Sequence, residues 1–301
     1  MESRRGLTLG VAAYAIWGAF PLYFPLLEPA GAIEVLAHRI VWSALTTVLL
    51  VVLLRRTARL RAVVRDRRTL LVLTAAAVVI SVNWTVYIWG VTHDRVVEAS
   101  LGYFINPLVT VLMGVVLLGE RLRVLQWLAV AIATAAVLVI TLGYGRLPWV
   151  ALVLAVSFAC YGLAKKTADV GSLESLAVET TLLAPLAAAY LVVLGVGGAG
   201  QLGRHGAGHS LLLLSAGLVT VVPLLCFGAA ATELSLVTLG LLQYLTPILQ
   251  FALGVLWFGE AMPTSRWIGF GLVWVALVLF TTEAIVHRRR QLRLVVAATA
   301  A

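Results

Sequence analysis

The sequence predicts an all-α integral membrane protein of about ten transmembrane helices, arranged as a 5+5 inverted-topology repeat. Three observations predict this fold class. Hydrophobic residues make up 62% of the 301-residue chain, against roughly 45–50% apolar residues in soluble domains. Apolar segments of spanning length, about 20 residues each, recur along the whole chain. The third observation is an internal repeat, and it gives the helices their arrangement.

Five positions carry the repeat, each recurring 140 residues later without a gap. They are Pro107, Gly114, Gly119, Glu120 and Trp127, which return as Pro247, Gly254, Gly259, Glu260 and Trp267. Each half has five spans. Because five is an odd number, the second half enters the membrane from the opposite side. Transporters built in this way hold their substrate between the two inverted halves.

The apolar segments divide the chain into two halves and a tail. We expect spans at about 7–27, 32–54, 69–92, 97–118, 124–142, 148–167, 174–196, 210–231, 235–258 and 265–286. The first repeat covers 1–145, the second covers 146–287, and 288–301 form a cytoplasmic tail. We expect the chain to be poorly ordered from His287 onward, as chain ends commonly are. The longest connections are the basic loop 55–68 and the Gly-rich loop 197–209.

The distribution of Lys and Arg predicts the orientation. One side of the predicted bundle carries 17 of these residues and the other carries 4. Cytoplasmic loops are enriched in Lys and Arg, so we expect both termini in the cytoplasm of a multi-pass protein of the bacterial inner membrane. We also expect the loop 55–68 to attract anionic lipid. We therefore attribute the net charge of +9 to orientation and not to nucleic-acid binding.

Other chemistries lack their sequence patterns. Cys160 and Cys226 lie in apolar segments and are typical of small buried residues. His205 and His209 have a metal-like spacing, but no third ligand accompanies them. No phosphate-binding loop is present, so the chain has no motif for using ATP. We expect neither a cofactor nor a metal, and no catalytic residues.

Two prolines lie in the middle of spans. Proline removes the hydrogen bond to the carbonyl four residues earlier, which frees the carbonyls of Tyr103 before Pro107 and of Gln243 before Pro247. Unpaired backbone at this depth is tolerated where protein or a watery cavity satisfies it. We therefore predict helix breaks at both prolines and a cavity lined by Tyr103, Asn106, Gln243 and Tyr244; two purely structural kinks are the alternative.

Arg39 is the most deeply placed charge, about seven residues into the second span. Intramembrane charges usually face the bundle interior. Its repeat counterpart is Glu179, but the two enter from opposite sides and differ in height by roughly 10 Å in a ~30 Å core. We expect Arg39 to pair with Glu98 or Asp94, and Glu179 with Lys165 or Lys166. Contact with substrate and a purely structural role are both open for each.

Aromatic and amide side chains complete the candidate site. Trp17 and Trp84 lie too centrally for interface anchors, and Asn83 and Tyr87 accompany Trp84. The predicted substrate-binding residues are Trp17, His38, Arg39, Asn83, Trp84, Tyr87, Tyr103, Asn106, Glu179, Gln243 and Tyr244. Aromatic walls suit organic substrates, and Arg39 favours a carboxylate.

The chain resembles the RarD branch of the EamA drug/metabolite transporter superfamily from about Gly6 to Arg288. The matching stretches are AIWGAFPLYF at 15–24, AHRIVWS at 37–43, NWTVYIWGV at 83–91, EASLGYFINPL at 98–108, GERL at 119–122, QWLAV at 126–130, TVVPLLCFGAAATELSLVTLGLLQYLTPILQF at 220–251 and FGE at 258–260. The resemblance implies a ten-span inverted-repeat permease whose spans one to four and six to nine form the transport core. One departure is Leu242, which stands where the first half has Gly102.

We therefore expect a secondary permease that exports small organic metabolites or drugs by alternating access. A membrane scaffold or signalling protein without flux is the second hypothesis. A lipid-modifying membrane enzyme is the third, and it lacks a clustered acid and base. The sequence leaves open the cargo, the coupling ion and whether two copies form a homodimer.

Overall fold

The computed structural model describes residues 3–118, 122–234 and 236–299, and every regular element among them is a helix. This confirms the all-α prediction. In chain order the helices are α1 (Arg4–Gly18), α2 (Phe20–Tyr23), α3 (Ala32–Leu53), α4 (Thr57–Arg65), α5 (Arg67–Val91), α6 (Val96–Leu118), α7 (Val124–Tyr144), α8 (Trp149–Ala168), α9 (Ser172–Val196), α10 (Gly206–Glu233), α11 (Leu236–Leu242), α12 (Leu245–Ala252) and α13 (Thr264–Thr299).

Ten spans can be counted among the described residues. Nine segments are long and apolar enough to cross a membrane, and α1 followed by Phe20–Leu27 forms a tenth that bends by 45°. Large apolar side chains such as Leu142 and Val196 are more than four-fifths exposed, as expected for residues that face lipid rather than water. The protein is therefore an all-α integral membrane protein.

Two predicted irregular segments are helical instead. The basic loop 55–68 contains α4, which has no buried residue. Its three Arg residues are exposed, whereas Leu60 packs against a cluster around Val51. The segment therefore has an apolar side that its basic composition conceals. The tail predicted to be poorly ordered from His287 onward continues the last span, because α13 runs to Thr299.

The first span breaks where two prolines follow one another at four-residue spacing. Pro21 has no N–H for the carbonyl of Trp17. That carbonyl instead accepts a hydrogen bond from the side-chain amide of Gln250 at 3.2 Å. One turn earlier, the carbonyl of Tyr14 accepts from the hydroxyl of Thr246 at 2.8 Å. The α1–α12 contact therefore satisfies backbone groups at the break, as lipid cannot.

The two predicted proline breaks turn out to be different. The ninth span is interrupted between α11 and α12 at Gln243 and Tyr244, and Pro247 is the third residue of α12, where a missing N–H costs nothing. Pro107 lies inside α6, which is continuous, so the prediction of a break there is wrong. The repeat positions Glu120 and Gly119 lie outside the described residues.

A difference between Gly102 and Leu242 accompanies this asymmetry. A Cβ atom on Gly102 would stand 2.6 Å from the carbonyl oxygen of Ala151, so glycine lets α6 lie directly on α8 along its length. At the matching position of α11, Leu242 is bulky, and the glycine is on the facing helix: a Cβ on Gly10 would stand 2.9 Å from Leu242 Cδ1. The backbone contact that supports α6 is thus absent at α11.

Gly217 gives the contact between α10 and α3 a direct test. A Cβ atom there would stand 2.4 Å from the carbonyl carbon and 2.6 Å from the carbonyl oxygen of Trp42, and backbone cannot move aside as a side chain can. We expect Gly217→Ala to lower the free energy of unfolding by about 1–3 kcal/mol, as overpacking does.

The matched control is Gly271→Ala in α13, where nothing lies within 4 Å of the added atom. We expect this change to be neutral or slightly stabilising, because alanine is the better helix former. Thermal unfolding of both variants in one detergent makes the comparison. Equal stabilities would show that α3 and α10 do not approach each other so closely.

Candidate substrate site

Arg39 is buried between α3, α5, α10 and the bent first span. It lies in the third turn of α3 and is 3% exposed. Its Nε donates a hydrogen bond to Thr220 Oγ1 on α10 at 3.0 Å. The Thr220 hydroxyl in turn donates to the carbonyl of Ala216 at 2.8 Å. Thr220 is therefore held in position as an acceptor for the guanidinium.

Aromatic rings surround the same guanidinium. Its Cζ lies 4.3 Å from the ring centroid of Trp84 on α5, 5.4 Å from that of Phe24 and 5.6 Å from that of Phe20. These distances are typical of cation–π contacts, which are worth up to about 2 kcal/mol when desolvated. We call Arg39, Thr220, Trp84, Phe24 and Phe20 the arginine site.

Arg39 does not have the carboxylate partner that the sequence suggested. Glu98 instead lies 3.7 Å from Arg95 and 3.9 Å from Arg146, and accepts from the backbone N–H of Val150 at 3.0 Å. A carboxylate is stabilised at a helix N-terminus such as that of α8, and this explains why Glu98 is used there. The prediction of Glu98 or Asp94 as the partner of Arg39 is wrong.

The charge of Arg39 is thus left without an anion among the described residues. Its Nη1 is buried with no hydrogen-bond acceptor there, and no described carboxylate lies within ion-pair distance. Burying a guanidinium costs several kcal/mol that an anion would normally offset. Stacking on three rings and one hydrogen bond to Thr220 offset part of that cost.

A chain of rings and amides leads from the arginine site into α6 and α8. The ring of Tyr87 lies 5.9 Å from that of Phe24 and 5.7 Å from that of Tyr103. The Tyr103 hydroxyl donates to Asn83 Oδ1 at 3.2 Å. Asn83 Nδ2 donates to Ser157 Oγ at 2.9 Å. Four of the predicted residues, namely Asn83, Trp84, Tyr87 and Tyr103, therefore lie together around Arg39.

His38 and Trp17 border this region from two other directions. His38 is 1% exposed, its Nδ1 accepts from Trp42 Nε1 at 3.1 Å, and its Nε2 has no partner among the described residues. The ring of Trp17 packs against those of Tyr14 and Phe227, at 5.5 and 5.8 Å. Trp17 thus contributes packing near the break of the first span.

The residues around the two prolines do not form one cavity. Asn106 Nδ2 donates to the carbonyl of Ala155 at 3.0 Å. Tyr244 packs into a cluster of α6, α7 and α13, whereas Tyr103 packs into the cluster next to the first span. Gln243 is half-buried at the break between α11 and α12. Of these four residues, only Tyr103 is connected to the arginine site, through the ring of Tyr87.

Glu179 has the partner that its depth predicted. Its carboxylate lies 2.8 Å from Lys165 Nζ, and it accepts from Ser175 Oγ at 2.6 Å and from Tyr161 at 3.2 Å; Lys165 also donates to Ser175. A small cavity between α3, α5 and α9 is lined by both Glu179 and Trp84. Trp84 therefore contacts this cavity as well as Arg39.

Three residues of the arginine site were missed by the sequence reasoning. Phe20 and Phe24 share a helix face at four-residue spacing, a signal that was present within AIWGAFPLYF. Thr220 gives no such signal, because one hydroxyl in an apolar span is common. The described residues hold no group of three or more His, Cys, Asp or Glu that could bind a metal. A buried guanidinium beside three aromatic rings has the chemistry to bind an anion next to apolar surface.

Comparisons with known proteins agree with this architecture. Residues 4–142 match the EamA-like transporter family. Protein RarD of Streptomyces exfoliatus is 55% identical over 96% of this chain and 92% of its own length. Protein RarD of Escherichia coli K12 is 43% identical over 96% of this chain and 98% of its own length. A crystal structure with 20% identity shares the fold over 94% of this chain and 99% of its own, with a TM-score of 0.60.

A helical bundle that crosses the membrane many times, with close relatives in a transporter family, is a membrane transporter and not an enzyme. The chain belongs to the RarD branch of the EamA-like transporter family.

The stability of the empty protein tests whether Arg39 is kept for binding. Replacing a buried charge that lacks a partner by an apolar side chain of similar length often stabilises a protein. We expect Arg39→Met to raise the free energy of unfolding by about 1 kcal/mol or more, measured by thermal unfolding without added ligand.

Lys165→Met is the matched control, since it removes a cation whose carboxylate partner is 3% exposed. Glu179 would be left without its cation, so we expect this variant to lose about 3 kcal/mol. An equal loss of stability in both variants would mean that Arg39, like Lys165, is a structural cation.

Proposed function

We propose that this protein is a secondary transporter that exports small organic molecules carrying a carboxylate or another anionic group from the bacterial cytoplasm. The observation that carries the proposal is the buried charge of Arg39, which has no anion among the described residues. A bound substrate would supply that anion. A guanidinium binds carboxylates through two parallel hydrogen bonds, and Nη1 is the donor still without an acceptor.

The surroundings of Arg39 support an amphipathic cargo. Trp84, Phe24 and Phe20 offer flat apolar surface beside the charge, and Tyr87 extends that surface. Pockets for organic ligands combine such walls with a few polar groups. Since the site is buried on every side, the bundle must open before a cargo can reach it.

Matched contacts between the halves support an inverted repeat. Asn106 donates to a carbonyl of α8 at 3.0 Å, and Thr246, 140 residues later, donates to a carbonyl of α1 at 2.8 Å. Glu34 at the start of α3 accepts from the backbone after α9, at Gln201. Its counterpart Glu174 at the start of α9 contacts Arg56 after α3.

These paired contacts suit alternating access. The breaks in the first and ninth spans meet at the α1–α12 contact, where Thr246 and Gln250 satisfy backbone carbonyls of α1, so the pivot of the movement would lie there. In inverted-repeat transporters one bundle rocks against the other around a fixed site. No nucleotide-binding motif occurs in the sequence, so a gradient and not ATP would drive the cycle.

Membrane placement follows from charge. The 17 Lys and Arg residues on one side against 4 on the other support an inner-membrane location with both termini in the cytoplasm. Helix α4 carries three arginines and has no buried residue. It would lie on the cytoplasmic leaflet, where basic residues attract anionic lipid.

Labelling of single cysteines tests the inverted topology. Cys160 and Cys226 are first replaced by alanine, and Arg61→Cys or Arg204→Cys is then introduced at exposed positions of the matched connections. In intact cells we expect an impermeant maleimide to label position 204 and to label position 61 only after lysis. Labelling of both positions from the same side would contradict the inverted repeat.

Efflux measurements test the cargo class. Cells that overproduce the protein are loaded with labelled amino acids, or with chloramphenicol as a neutral compound, and initial efflux rates are measured. We expect Arg39→Gln to reduce the efflux of carboxylates at least about tenfold, because hydrogen bonds to charged groups contribute roughly 1.5–3 kcal/mol. Carboxamide analogues should be exported poorly by both proteins.

The control for that experiment is Arg204→Gln, the same chemical change at an exposed position of the connection after α9. We expect its efflux to equal that of the parent. Unchanged carboxylate efflux in Arg39→Gln would remove Arg39 from the site. A lack of flux for every compound would favour a structural role for the protein.

A further inference from the structure

Glu260 connects two distant parts of the chain at one end of the bundle. It lies in the connection between the ninth and tenth spans, and its carboxylate accepts hydrogen bonds from the backbone N–H groups of Val96 and Val97. The Val97 N–H lies 3.1 Å from Oε1 and 3.2 Å from Oε2. These N–H groups belong to the first turn of α6, where backbone N–H groups have no acceptor within their own helix.

Next to this contact the ninth span packs tightly against α6. A π-helical turn at Leu253–Trp257 follows α12, and a Cβ atom on Gly254 within it would stand 2.6 Å from a methyl group of Val97. The ninth span and α6 are the spans that contain Pro247 and Pro107. Glu260 therefore holds together the two helices that must separate if the bundle opens at this face.

Charged groups face Glu260 from each neighbouring element. Arg266 on α13 lies 3.8 Å from it and also donates to the carbonyl of Ala261. Asp94 precedes α6, and Glu98 lies on it; Glu98 pairs with Arg95 and with Arg146. Burial, and next to it the charges of Asp94 and Glu98, raise the pKa of Glu260 to about 7, against the lowering effect of the Val97 and Val96 N–H groups.

A proton can bind here without breaking the contact. Oε1 alone accepts from both Val96 and Val97. A proton on Oε2 would displace only the longer 3.2 Å contact with the Val97 N–H and the 3.8 Å approach of Arg266. In an open state water reaches the carboxyl, and its pKa returns toward the ordinary value of 4.5. The closed state then binds the proton more tightly, so acidification between about pH 7 and 4.5 favours closure.

We propose that Glu260 is a proton-binding latch, which takes up a proton when the bundle closes at this face and releases it when the face opens. This inference rests on the alternating access proposed above. It adds a second site, Glu260, whose ligand is one proton. Binding of cargo at the arginine site does not require this proton. The buried contact with α6 couples proton binding to the separation of α6 from the ninth span.

Accessibility of a buried reporter tests the latch without any cargo. Ser100 is fully buried one turn beyond Val97, and Ser100→Cys changes its volume little. In a background with Cys160→Ala and Cys226→Ala, the rate of labelling by an impermeant maleimide is measured in nanodiscs at pH 6 and pH 8. The same reporter in Glu260→Gln serves as the reference at each pH, which cancels the ionisation of the thiol.

Glutamine resembles the protonated carboxyl, since its oxygen still accepts from α6 and it does not titrate. We expect the ratio of parent to Glu260→Gln labelling to rise about tenfold from pH 6 to pH 8, the change that one linked proton gives over this range. Glu260→Ala, which loses the contact, should label fast at both pH values.

Glu34→Gln is the matched control, another carboxylate that accepts from a backbone N–H, that of Gln201. With Glu260 intact it should show the same rise as the parent. A ratio that stays flat with pH would overturn the latch while leaving the site at Arg39 untouched. An absence of labelling in every variant, Glu260→Ala included, would overturn the latch together with the proposed opening.

Discussion

Every polar group inside this bundle needs a partner from the protein, because lipid offers none. The broken first span shows how this constraint shapes the structure. The carbonyls of Tyr14 and Trp17 are satisfied by Thr246 and Gln250, so two irregular spans lie against each other. Polar contacts of the same kind fix Asn83 to α8 and Glu179 to Lys165. Against that background the charge of Arg39 stands out, because no described residue supplies an anion for it, and the proposed site rests on this charge.

Hydropathy predicted the spans well because length and apolar character alone decide whether a helix can cross a bilayer. The partner of Glu179 was also predictable, since depth left Lys165 and Lys166 as the cations at its level. Depth did not identify the neighbours of Arg39, because it says nothing about which side of α3 the side chain occupies. That choice depends on packing with α5 and α10, which a single sequence does not encode in any local pattern.

The matched prolines were equally incomplete guides. A proline's effect depends on where it falls in the helix, and Pro247 near the start of α12 differs from Pro107 inside α6. The two spans also differ at Gly102 and Leu242. The glycine that allows close packing is Gly102 on α6 itself in the first case, and Gly10 on the facing helix α1 in the second. Helix α4 was hidden for another reason: its composition is that of a basic connection, and only its apolar side reveals a helix.

Arg39 and Glu179 stand at the eighth residue of α3 and of α9, 140 positions apart. A bundle assembled from two copies of residues 1–145 would bury two guanidinium groups and no carboxylate at those places. One assembled from two copies of the second half would bury two lysine–glutamate pairs and lack the three rings of the arginine site, Phe20, Phe24 and Trp84. With different charges at these two positions, neither half of the chain can take the place of the other in this bundle.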